Sequence, residues 1–103
     1  MNVVIVGSDP ERMRDALSAE GHTVTIADVG NRPGLEEAGV LDADVYLLTE
    51  MAQATSIAVA KDLNDALRVV VYAEGSLPDF ASRQTDLVVD PNLLETDAVA
   101  EEL

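Results

Sequence analysis

The chain has 103 residues, 48% of them apolar, and carries twenty Asp and Glu against six Lys and Arg for a formal charge of −14. That length suits one domain spanning residues 1–103, and the apolar content is enough for a core, so the charge does not argue for disorder. Without cysteine there are no disulfides, thiolate metal sites or thiol nucleophiles, and His22 alone cannot make a histidine cluster.

Asn2-Val-Val-Ile-Val6 is a short apolar run ending in Gly7, which predicts a central strand buried on both faces. Ser8-Asp-Pro-Glu11 reads as a helix start, with Ser8 or Asp9 as cap and Glu11 closing a capping box with Ser8. Met13, Ala16, Leu17 and the stem of Glu20 form that helix's inner stripe, and Gly21 ends it. Thr23-Val-Thr-Ile-Ala27 alternates polar with apolar, the pattern of an edge strand with one wet face. Asn31-Arg-Pro-Gly34 reads as a turn before a short helix around Leu35–Ala38 that stops at Gly39. Asp44–Leu48 is a third strand, and Met51–Leu63 is the best helical pattern in the chain, with Asn64 at its end.

Arg68–Tyr72 is a fourth strand, Pro78–Arg83 a short helix, Leu87–Val89 a brief fifth strand and Pro91–Leu103 a last helix. Alternation of strands and helices at this spacing implies parallel strands with right-handed crossovers and helices on both faces. The expected fold is therefore an open five-stranded parallel α/β sheet, a Rossmann- or flavodoxin-like three-layer sandwich, in the order 2-1-3-4-5.

The acids are spread from Asp9 to Glu102, and Lys61 is the only lysine. An even spread of that kind predicts a halophilic protein, because molar salt shrinks the screening length to about 3 Å and removes most self-repulsion. The same negative field excludes nucleic acid and an anionic membrane surface as partners. No apolar run approaches the ~20 residues of a membrane span, and a cytoplasmic location is the expectation.

In open parallel sheets ligands bind beyond the carboxyl ends of the strands, where the order reverses. Those ends carry Gly7, Ser8 and Asp9, then Asp28, then Thr49 and Glu50, then Glu74. Gly7 leads into a helix N-terminus that could favour a phosphate, yet a dinucleotide loop would need glycines where Asp9 and Arg12 stand. A tight turn with a helix cap is the competing and simpler reading. Asp28 stands where an acid can accept from ribose hydroxyls, although twenty acids make chance placement common. Thr49 reads as the N-cap of its helix sooner than as a ligand contact, and Glu50 and Glu74 as solvated acids. His22 falls at the wrong end of its strand for a ligand.

Leu35-Glu-Glu-Ala-Gly-Val-Leu-Asp-Ala-Asp-Val45, with Thr49, Ala60-Lys61, Arg68-Val-Val-Val and the segment Asp86 to Pro91, resembles the N-terminal domains that regulate potassium conductance. That resemblance implies a Rossmann-type nucleotide site held by a glycine loop and the acid after the second strand. Gly7 and Asp28 match it and Asp9 and Arg12 do not, and one strand between Asp28 and Gly34 is missing. The start Val3-Val-Ile-Val-Gly-Ser-Asp-Pro-Glu-Arg12 is similar to response-regulator receivers. On that resemblance Thr49 or Glu50 falls near the phosphoacceptor aspartate's place, Ala73 near the switch hydroxyl's and Asp90 near the lysine's. The whole chain resembles small haloarchaeal proteins that carry the label CTP synthetase, although it has neither a Gly-x-x-x-x-Gly-Lys loop nor a glutaminase cysteine.

The leading expectation is a non-catalytic ligand-sensing or regulatory domain with residual affinity for a nucleoside or nucleotide over Gly7, Ser8, Asp9, Asp28 and Thr49. A receiver-like protein-interaction module that cannot be conventionally phosphorylated is the first alternative, and an accessory role in CTP metabolism the second. A homodimer and an unidentified protein are the expected partners, the former through the Ala-rich helix. No nucleophile and base pair supports an enzyme.

Overall fold

The computed structural model describes residues 1–9 and 12–103. Five strands form one parallel sheet: β1 (Asn2–Val6), β2 (Thr23–Ala27), β3 (Val45–Leu48), β4 (Arg68–Tyr72) and β5 (Leu87–Val89). Their order is β2-β1-β3-β4-β5, as the edge pattern of the second strand required. Registers run Ile5 to Ile26 on one side of β1 and Ile5 to Leu47 on the other, so β1 is central. The helices are α1 (Met13–Ala19), α2 (Arg32–Glu37), α3 (Ser56–Leu63), α4 (Asp79–Ser82) and α5 (Thr96–Glu102).

Because side chains alternate across a strand, β1 and β3 each feed two cores. Val4, Val6, Tyr46 and Leu48 pack with Leu35, Ile57, Ala60 and Ala81 under α2, α3 and α4. Val3, Ile5, Val45 and Leu47 pack with Met13, Leu17, Val99 and Ala100 under α1 and α5. Ala54 and Ala60 of the Ala-rich stretch are buried in the first of these cores, which is ordinary packing against the sheet.

Several boundaries differ from the expected ones, each for a local reason. The continuous helix Met51–Leu63 is instead a 3-10 turn at Met51–Gln53 followed by α3 from Ser56. Ser56 Oγ donates to Gln53 O (2.6 Å) and also hydrogen-bonds the buried Tyr46 hydroxyl, which fixes the break. Asn31-Arg-Pro-Gly34 opens α2: Asn31 is its N-cap, its side chain accepting from Gly34 N at 2.8 Å. Pro91–Leu103 is helical only from Thr96, because Asp90 turns the chain by accepting from Asn92 N (2.8 Å) through its side chain and from Leu93 N (2.9 Å) through its carbonyl. Glu20 is exposed, so its stem is no part of the inner stripe of α1, and Gly21 ends the helix in the left-handed region (φ 88°).

Asn64, at the end of α3, joins that helix to the chain below the sheet. Its Nδ2 donates to Val40 O (3.0 Å) and Ala43 O (3.1 Å), and its Oδ1 accepts from Ala66 N (3.1 Å).

Candidate functional site

The carboxyl ends of the strands bring together the loops after β1, β2 and β3. Gly7 follows β1 with φ 112°, a backbone region open almost solely to glycine. A Cβ there would lie 2.6 Å from Thr49 Oγ1 and 2.7 Å from Glu50 Cγ, so glycine is also required by space. The crevice beside β1, where the strand order reverses, is therefore closed over Gly7 by the side chains of Thr49 and Glu50.

Thr49 is 9% exposed and does not cap a helix. Its Oγ1 lies 2.6 Å from Ser8 O and 3.2 Å from Val6 O, so its hydroxyl ties the end of β3 to the loop after β1. Glu50 begins the 3-10 turn without a side-chain cap bond. Of the two expected caps it is Asp9 that serves: its Oδ1 accepts from Arg14 N at 2.8 Å, in the first turn of α1. The other half of the expected capping box, Glu11, lies outside the described residues. Ser8 is exposed, and its carbonyl is the group that Thr49 engages.

Asp28 follows β2 with an exposed side chain. Its carbonyl accepts from Gln53 Nε2 (2.9 Å), and Gln53 Oε1 accepts from Gly30 N (2.7 Å). Gln53 Nε2 also donates to Glu50 Oε1 at 2.8 Å, so one amide side chain fastens the loop after β2 to the loop after β3. Gln53 carries no local signal, being one polar residue at the end of the turn Met51–Gln53 with partners 23 and 25 residues away. Gly30 sits so near α3 that a Cβ would lie 2.3 Å from Ser56 Cβ. The five expected site residues Gly7, Ser8, Asp9, Asp28 and Thr49 thus lie at one end of the sheet. Thr49 and Asp9 hold the backbone there, while the Asp28 side chain points to solvent.

The far half of this end is built from Ala73, Glu74 and Asp90. Ala73, after β4, is 7% exposed, and Asp90 follows β5. Asn92 Nδ2 donates to Glu74 Oε1, which links the loops after β4 and β5. Glu74 is thus a bonded acid and not simply a solvated one. Among the described residues no group of three or more His, Cys, Asp or Glu is arranged to hold a metal ion. Nor, among the described residues, is any helix long and apolar enough to cross a membrane.

The chain is similar in fold to solved response-regulator structures. The orphan response regulator HP1043 of H. pylori superposes with TM-score 0.76 at 12% identity, over 99% of this chain and 92% of that one. The pseudo-receiver domain of the CikA protein gives TM-score 0.64 at 16% identity, covering 94% of this chain and 92% of its own. RcsB from Salmonella enterica serovar Typhimurium, solved on promoter rprA with phosphomimetic BeF3−, gives 0.60 at 19% identity over 98% of this chain and 70% of that one. At these identities the likeness shows the receiver fold alone. No curated protein matches the sequence.

These matches overturn the resemblance to potassium-conductance regulators and to proteins labelled CTP synthetase. The misreading has a physical source, because short β-branched runs such as Arg68-Val-Val-Val recur in any buried parallel strand and carry little about which parallel sheet they belong to. The receiver-like start Val3–Arg12 was the informative stretch. A family model matches residues 3–103, and by it the chain belongs to DUF7126, a family of unknown function.

Proposed function

We propose that this chain is a regulatory, receiver-like interaction module that works without aspartyl phosphorylation. The carrying observation is Thr49. It stands directly after β3, near the place that the receiver resemblance gives to the phosphoacceptor aspartate, and its hydroxyl is buried against Ser8 O and Val6 O. Neighbouring positions agree: Ala73 has no hydroxyl to follow a phosphoryl group, and Asp90 brings negative charge near the place of the lysine. A phosphoryl group here would meet the carboxylate of the adjacent Glu50, whose side chain lies with that of Thr49 over Gly7.

The nucleotide alternative has less support. The backbone at Gly7 that a phosphate would approach is covered by Thr49 and Glu50, and the Asp9 carboxylate already accepts the Arg14 amide. Incubation with acetyl phosphate followed by intact-mass measurement tests the proposal. The expected result is an unmodified chain, whereas a stoichiometric, hydroxylamine-sensitive phosphoryl adduct would refute it.

A further inference from the structure

The outer edge of β2 is free. Thr23 N donates to Met1 O (3.0 Å) and Ala27 O accepts from Gly7 N (3.0 Å), so the backbone groups of Thr23, Thr25 and Ala27 are spent on β1. By the two-residue period of a parallel ladder, the N–H and C=O groups of Val24 and Ile26 point away from the sheet. No element pairs with them among the described residues.

Along the α2 side of that edge runs an open groove of about 380 Å³, with Thr25 and Ala27 as floor and Gly34, Glu37 and Ala38 as wall. A second hollow of about 230 Å³ shares Thr25 and Ala38 with it and continues toward Asp42 and Ala43. Asp42, Glu37 and Asp28 line the combined groove, and no Lys or Arg does. The one cation of α2, Arg32, turns instead to Asp62 of α3 at 2.6 Å.

We propose that this groove takes an extended, basic segment of a partner protein, which adds a sixth strand beside β2 and sets Lys or Arg side chains against Asp28, Glu37 and Asp42. The proposal names the partner chemistry of the interaction module proposed above and rests on that reading for its biological sense. Charge selects the occupant. A second copy would bring −14 against −14, and its own β2, Thr23–Ala27, has no cation to offer the carboxylates. Main-chain bonds to Val24 and Ile26 would supply affinity, and side chains at alternate positions specificity, as in strand addition elsewhere. Five residues of β2 at about 3.3 Å each match a partner strand of five or six residues.

The probe is a capped hexapeptide of alternating Lys and Val, titrated into the 15N-labelled full chain at the lowest KCl at which circular dichroism shows it folded and at molar KCl. The expected result is saturable shifts along β2 and α2, slowed amide exchange at Val24 and Ile26, and weakening with salt; the matched Glu–Val peptide does not bind. Glu37→Gln and Asp42→Asn should each weaken binding about two- to fivefold. Ile26→Pro removes an edge donor that β1 does not use and should abolish binding. Should that variant not fold, a Lys–Val peptide N-methylated at alternate residues gives the same answer on the unaltered chain. Shifts that map elsewhere, equal binding of the Glu–Val peptide, no binding at low salt, or protection of Val24 and Ile26 that rises with chain concentration alone would each overturn the proposal. Because the phosphoryl test reads a covalent adduct on the chain and this one reads the edge of β2, the failure of either is separable from that of the other.

Discussion

Replacing Gly7 with alanine tests how the end of the sheet is held together. At φ 112° an L-residue is strained by about 1–3 kcal/mol, and the new methyl would lie 2.6 Å from Thr49 Oγ1 and 2.7 Å from Glu50 Cγ. Glu50 is exposed and can swing aside, but Thr49 is held by Ser8 O and Val6 O and cannot move without losing those bonds. Overpacking of this kind adds about 1–3 kcal/mol, so Gly7→Ala should destabilise by about 2–6 kcal/mol. In a domain of this size that lowers Tm by roughly 10–30 °C. Urea unfolding of the single variants and of Gly7→Ala/Thr49→Ala measures the coupling. Thr49→Ala alone should cost about 1 kcal/mol, while in the Gly7→Ala background it should cost nothing or restore stability, since it removes the obstructing oxygen. A loss under 0.5 kcal/mol for Gly7→Ala, or strict additivity of the pair, would refute the account of Thr49 as the clasp.

Three further outcomes are expected. Burial pushes the Tyr46 hydroxyl from 10.0 up to about 12, against the smaller opposing effect of the Ser56 hydrogen bond. Its neutral form is the one the fold keeps, so its contribution is full below pH 10 and is lost as pH rises through 12, about 2–3 kcal/mol in all. Tyr46→Phe should flatten that alkaline decline in a pH series of unfolding curves. Asn64→Ala strands the carbonyls of Val40 and Ala43 and should cost about 1–3 kcal/mol by denaturant midpoint at unchanged m. With −14 charges, Tm should climb steadily from millimolar to molar KCl by circular dichroism; a flat profile would remove the ground for expecting a halophilic protein.

What could be read in advance was whatever is local. Val3–Val6 and Val69–Tyr72 announce buried strands because every residue is apolar, and the alternation in Thr23–Ala27 announces the edge, which is enough to order the sheet. Asp9 is legible as a cap for α1 and Asn31 as the opening of a turn, whereas the amide that Asp90 engages is not, since Asn and Asp bond whichever amide comes within reach. The clasp between Thr49 and Ser8 spans 41 residues and depends on two strands being neighbours, so no window of sequence contains it. The same holds for Gln53, whose amide reaches Asp28 and Gly30 only after α2 and α3 have packed on one face. Met51–Leu63 is not one helix because the hydroxyl of Ser56 faces Tyr46 of β3, a contact that helical propensity does not encode.

A receiver-like module that works without aspartyl phosphorylation should take up no phosphoryl group after β3. Titration of the 15N-labelled chain with beryllofluoride and magnesium tests it most directly, because that complex mimics an aspartyl phosphate without requiring a donor. The resonances of Thr49, Glu50, Ala73 and Asp90 should stay unchanged. Saturable shifts centred on those residues and spreading to β4 and β5 would contradict it.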